Sequence, residues 1–134
     1  MPLVFEEVHA APDAKKVNEE WFVLSNQGAS AVSTAGLMVL VSRPGKRGSM
    51  LGRIDPGFTL QPGEKIIIVS GMPGKKAQGD PPTREGLRVY HLMQREGLLR
   101  GSGSTVRFAL NQLDVAKVTY DKNAATGVAA ATPP

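Results

Sequence analysis

The sequence predicts an all-β protein, an immunoglobulin-like β-sandwich of about seven to nine short strands. Three observations carry that expectation. The 15 glycines and 10 prolines interrupt 134 residues too often for long helices. Between those breaks stand short runs rich in β-branched and aromatic residues, several of them alternating apolar with polar. A chain of this length also buries roughly two thirds of its unfolded surface, enough for a core without metal or disulfide staples.

Residues 3–8, LVFEEV, read as the first strand, and HAAPDAKKVN breaks it at Pro12. EWFVLSN is the second, ended by NQG, where Asn26 and Gly28 tolerate positive φ. GLMVLVS, residues 36–42, is the third, and RPGKRGSMLGR, residues 43–53, reads as a loop. FTLQPGEKIIIVSG gives a short strand, a turn at Gln61-Pro62-Gly63 and a longer strand through Ile66–Val69, followed by the loop GMPGKKAQGDPP. LRVYHLMQRE puts Arg88, Tyr90 and Leu92 on one face of a strand, or Leu87, Tyr90 and His91 on one face of a helix. The flanking glycines leave little length for a helix and favour the strand. STVRFAL and DVAKVTY, joined by NQL, form a hairpin. These elements place one domain at residues 1–122. NAATGVAAATPP, residues 123–134, has no charge and little to bury, and is expected to be a disordered tail or linker.

Composition narrows the chemistry. With no cysteine, disulfides, thiol nucleophiles and thiolate metal sites are all excluded. The start, MPLVFEEVHA, has no basic segment ahead of an apolar one, and no run approaches the ~18 apolar residues of a membrane span. The expectation is a soluble cytoplasmic protein. His9 and His91 lack ligand-spaced neighbours, and GSGST at 101–105 lacks the lysine of a phosphate loop. GMPGKK fails the same pattern, with Val69 where glycine is needed and Lys76 where a hydroxyl is. No Gly-x-Ser-x-Gly elbow exists. Glu6, Glu7, Asp13, Glu19 and Glu20 form the one acidic constellation, but DAKKVNEE lacks calcium-loop spacing, and a solvated acidic edge is expected. No catalytic residue, metal or cofactor is assigned, and the chain is expected not to be an enzyme.

The net charge of +4 is uneven: residues 1–30 carry five acids against two lysines, and residues 31–53 carry four bases and no acid. Arg43, Lys46, Arg47 and Arg53 lie in the first basic loop, and Lys75, Lys76, Arg84 and Arg88 in or beside the second. Loops gather at the ends of a sandwich, so the two are expected to meet as a patch for DNA or another polyanion. With little aromatic interleaving, such a contact would use phosphates and weaken with salt.

The order of motifs resembles the lamin-tail domain, an immunoglobulin-like module. The matching pieces are EEVHAAPD, EEWFVLSNQG, FTLQPGEKIIIVSG, LLRGSGSTVRF and VAKVTY, in the family's order across most of residues 3–120. Leu37 and Ser104 depart from it, standing where the family has a tryptophan and an acid. The family often has an acid at the position of Val23, so the resemblance implies that Val23 faces solvent. Alternation then puts Trp21 and Ser25 on the same outer face, with Phe22 and Leu24 inside. The resemblance implies a free-standing, non-catalytic interaction or scaffolding module. It would bind an unknown protein partner through a sheet face or edge, with Trp21 and Val23 as candidate surface residues; self-association is compatible with it.

Overall fold

In a computed structural model that describes residues 2–45, 48–55, 57–111 and 113–129, the alternating segments become strands. They are β1 (Leu3–His9), β2 (Trp21–Asn26), β3 (Val32–Ser33), β4 (Met38–Ser42), β5 (Ser49–Arg53), β6 (Thr59–Leu60), β7 (Lys65–Val69), β8 (Arg88–His91), β9 (Thr105–Leu110) and β10 (Leu113–Thr119). The only helical pieces among the described residues are single 3₁₀ turns at Val17–Glu19 and Lys76–Gln78, so none is long enough to cross a membrane.

The strands form two four-stranded sheets, ordered β1–β2–β7–β8 and β10–β9–β4–β5, with β3 and β6 as a small separate ladder. Among the described residues, all strand pairings are antiparallel except β7 with β8, which is parallel. The all-β sandwich expected from the turn and strand pattern is the architecture found. Of residues 87–96, Arg88–His91 take the strand alternative, as β8, and the remainder is outside it.

Period-two alternation builds the core. Phe22 and Leu24 of β2, Ile66 and Ile68 of β7, Val39 and Val41 of β4, and Val106 and Phe108 of β9 all meet in one cluster. Phe5 sits at its centre, with its ring centroid 5.8 Å from that of Phe22 and 5.3 Å from that of Phe108, both edge to face. β1 contributes Phe5 and Val8, a spacing of three that strict alternation forbids. A bulge at Glu6 resolves it: Phe5 pairs with Leu24 and Glu7 with Val23, so Phe5 and Val8 both turn inward and Glu7 and His9 turn out.

Three expectations are corrected. Val23 does not face solvent: it is 1% exposed. β2 and β7 are the two central strands of their sheet, and Val23 pairs with Ile67. Val17, Val23, Ile67 and Val69 are all buried outside the main cluster, and the 3₁₀ turn at Val17–Glu19 packs on β7. Such two-faced burial reads in sequence as the unbroken runs WFVL and IIIV rather than as alternation.

Residues 43–53 are not all loop. The chain reverses at Pro44-Gly45, Gly45 taking φ +72°, and Ser49–Arg53 pairs with β4 as an edge strand. Nor do residues 123–129 hang free. The Val8 amide donates to the Thr126 carbonyl at 2.8 Å, Tyr120 and Val128 form a β-bridge, and Val128 packs on the core. Gly127 makes this docking feasible, because at φ +77° a Cβ there would run into the Val8 carbonyl. Residues 130–134 of the expected tail lie outside the described residues.

Candidate functional site

Trp21 does not stand out as a bare anchor. It is half-buried on the outer face of its sheet, where His9 pairs with it across β1 and β2. The His9 and Trp21 rings stack at 3.7 Å between centroids and 14° between planes, and the Arg84 guanidinium carbon lies 5.0 Å from the Trp21 ring centroid. Arg84 in turn forks onto Glu7, Nη1 to Oε2 at 2.6 Å and Nη2 to Oε1 at 2.8 Å, while His9 Nε2 meets Glu7 Oε1 at 2.9 Å. The hydrogen bond from Arg84 does most to hold the Glu7 carboxyl at about 2, against partial burial that would raise it. Four side chains thus hold one another on this face. The bulge at Glu6 brings Glu7 and His9 there, and the segment between Gly79 and β8 brings Arg84.

The acidic constellation does not converge. Glu6 pairs with Lys65 at 3.0 Å. Glu20 is 1% exposed, which corrects the solvated edge expected for it. Its carboxylate accepts from the Ser70 hydroxyl at 2.6 Å, the Leu98 amide at 2.7 Å and the Leu99 amide at 3.1 Å. Burial pushes the Glu20 carboxyl above its ordinary value, opposed by those three donors. Glu20 is therefore a clamp on the segment before β9. Among the described residues, no three metal-ligating side chains come together.

The basic residues are likewise dispersed rather than gathered into the expected patch. Arg84 is taken by Glu7, and Arg88 by Glu64 at 3.0 Å and the Thr59 carbonyl at 2.7 Å. Arg53 closes β5 at the end of the sheet away from Arg43, because β5 runs antiparallel to β4. Arg43, Lys75 and Lys76 are exposed. The Arg43 turn and the loop after β7 do share one end of the sandwich: Arg43 lines a cleft with Gln94, whose amide donates to the Ser70 carbonyl at 2.8 Å. Lys46 and Arg47 lie outside the described residues.

That cleft is open and lies between the two sheets. The two sheets part along the side where β5 ends one and β8 ends the other. The opening holds about 680 Å³ over an apolar floor that includes Val41, Leu51 and Leu98. A second lobe of about 180 Å³ continues it toward Tyr90 and His91, sharing Leu51, Met93 and Gln94 with the first. Arg43 and Arg95 line the larger lobe, while Arg53 and Asp55 line the smaller. Met93, common to both, has φ +61° and is 56% exposed. A left-handed backbone at a residue that is neither glycine nor asparagine is uncommon and costs about 1–2 kcal/mol. Sequence reasoning found Arg43 and Arg53 but missed Met93, Arg95 and Leu51, since only the parting of two distant edge strands makes them neighbours.

The buried Asn26 and Ser104 explain two of the sequence motifs without invoking a ligand. Asn26 Nδ2 donates to the carbonyls of Ser30 at 2.8 Å and Leu60 at 3.0 Å, and its Oδ1 accepts the Gly28 amide at 2.9 Å, tying β2 to the β3–β6 ladder. Ser104 Oγ accepts the Arg100 amide at 2.9 Å and donates to the Gly101 carbonyl at 3.0 Å, closing the GSGS turn.

No protein-family model matches the chain, and no curated protein matches it in sequence.

Proposed function

We propose that this chain is a non-catalytic, lamin-tail-like interaction module that docks a protein partner at the open edge between β5 and β8. The observation that carries this reading is the continuous cleft there, with an apolar floor, β5 along one margin, and β8 followed by residues 93–98 along the other. Edge strands keep one side of the backbone unpaired, and strand addition beside side-chain pockets is a recurring way to take a peptide. The quoted motifs support the family reading by where they sit: EWFVLSN at β2, FTLQPG at β6 and the turn into β7, and GSGSTVRF at the turn into β9.

A photo-crosslinking residue placed at Ser49, which lines the cleft, and separately at Lys117, exposed on β10, tests the docking site. Adducts with a partner from position 49 that vanish when Met93 is replaced by glycine support the reading. Equal labelling from both positions, or none from position 49, rejects it.

The second reading is a polyanion contact. It now rests on Arg43, Lys75 and Lys76, exposed at the same end of the sandwich, because Arg84 and Arg88 are taken by carboxylates. Duplex DNA anisotropy at two salt concentrations tests it, and unchanged anisotropy at low salt removes it.

A further inference from the structure

We infer that the cleft between β5 and β8 takes an extended protein segment in which acidic residues flank apolar ones, an inference that rests on the docking reading above. The charge of the larger lobe carries it. Arg43 and Arg95 both line that lobe, and the ion pairs found among the described residues engage neither. Its one carboxylate, Glu96, is held by Arg100 at 3.1 Å. Two guanidinium groups are thus left above a floor of Val41, Leu51 and Leu98. An apolar side chain on that floor with a carboxylate beside it would satisfy both, whereas a basic neighbour would meet like charge.

The margins specify an extended backbone. Among the described residues, β5 and β8 each pair on one side only. β5 contains neither lysine nor proline, two of the usual guards of an edge. Its one irregularity is a bulge at Leu51, between the pairs Val39 with Gly52 and Leu40 with Met50. A strand of five residues is about 17 Å long, so the cleft matches a segment of similar length. A single-stranded nucleic acid fits less well. The residues lining the larger lobe include no aromatic ring for a base to stack on, and a phosphate would leave the apolar floor unfilled.

Met93 adds an independent sign. Its left-handed backbone fixes an exposed, adaptable thioether at the point shared by both lobes. Glycine at this position removes the side chain and relieves the backbone at once, so M93G is expected to fold at least as well as the parent.

The test is a selection of random linear peptides, about eight residues long to overfill the cleft, displayed against the full chain. Binding of the selected peptides is then measured by anisotropy. The expected peptides carry Asp or Glu beside Leu, Ile, Phe or Met. The double variant R43E/R95E, both sites being exposed, weakens them roughly tenfold or more at low salt. M93G weakens them several-fold without lowering the melting temperature, and K75E/K76E leaves them unchanged. Peptides without acidic enrichment that M93G still weakens would overturn the acidic class and leave the docking reading standing. Binding indifferent to both R43E/R95E and M93G, or no peptide selected at all, overturns both. An oligo(dT) strand that displaces the peptides overturns the protein-segment assignment.

Discussion

His9 lies flat against Trp21, ring centroids 3.7 Å apart, and so covers one surface of the only tryptophan in the chain. Trp21 emission is therefore expected to be blue-shifted and resistant to iodide in the free protein. H9A should raise iodide quenching and cost about 0.5–1.5 kcal/mol of stability, the usual range for an aromatic pair. Quenching identical in H9A and the parent would show that the stack does not persist in solution.

The Glu7–Arg84 fork makes stability depend on acid. Glu7 titrates at about 2 when folded, below its ordinary 4.5, because Arg84 hydrogen-bonds the charged form. The stabilisation is fully present above the unfolded value and is lost as pH falls from 4.5 toward about 2. Urea unfolding across that window should show the parent losing stability more steeply than E7Q. Parallel slopes would contradict the assignment.

Glu20 acts with the opposite sign. Its folded value is raised by burial, so the protein's stability falls as pH rises from the ordinary glutamate value through the raised one. E20Q should flatten that decline. E20A removes the acceptor of the Ser70 hydroxyl and of the Leu98 and Leu99 amides, and is expected to cost about 2–4 kcal/mol. Hydrogen exchange at those two amides should accelerate together in E20A.

Val23 offers a direct choice between a surface and a buried position. On an outer face in water, V23E would be nearly neutral. In a strand where Val23 is 1% exposed and pairs with Ile67, it is expected to cost about 3 kcal/mol or more, read as a shift of the urea midpoint.

Truncation after Lys122 removes the Thr126 acceptor of the Val8 amide and uncovers the core where Val128 packs. A loss of about 1–3 kcal/mol is expected, with faster exchange of the Val8 amide. An unchanged midpoint would restore the tail to a mere appendage.

Legibility in the sequence followed the physical signal at each place. Val39 and Val41, or Val106 and Phe108, alternate with more exposed residues, so their strands and inward faces could be read directly. Val23 could not, because the unbroken runs WFVL and IIIV announce burial on both sides while family likeness argued for solvent. SMLGR hid β5: glycine and serine read as loop, and only pairing with β4 makes a strand of them. The Glu20 clamp was invisible for a different reason. Its acceptor role depends on backbone amides 78 and 79 residues away, and any residue but proline supplies a backbone amide. The cleft is likewise a product of topology, since Arg43 and Arg95 stand on segments that only the closed sandwich brings together.

The parallel pairing of β7 with β8 has a kinetic meaning. Parallel neighbours cannot be joined by a tight turn, so residues 70–87 must travel back along the sheet before β8 can dock. Once there, β8 is held among the described residues by one neighbour, β7. The same strand, four residues long and anchored on one side, gives up few bonds on leaving. The margin of the cleft is thus its breathing seam, and amide exchange in β8 should outpace that of β2 and β7 in the same sheet.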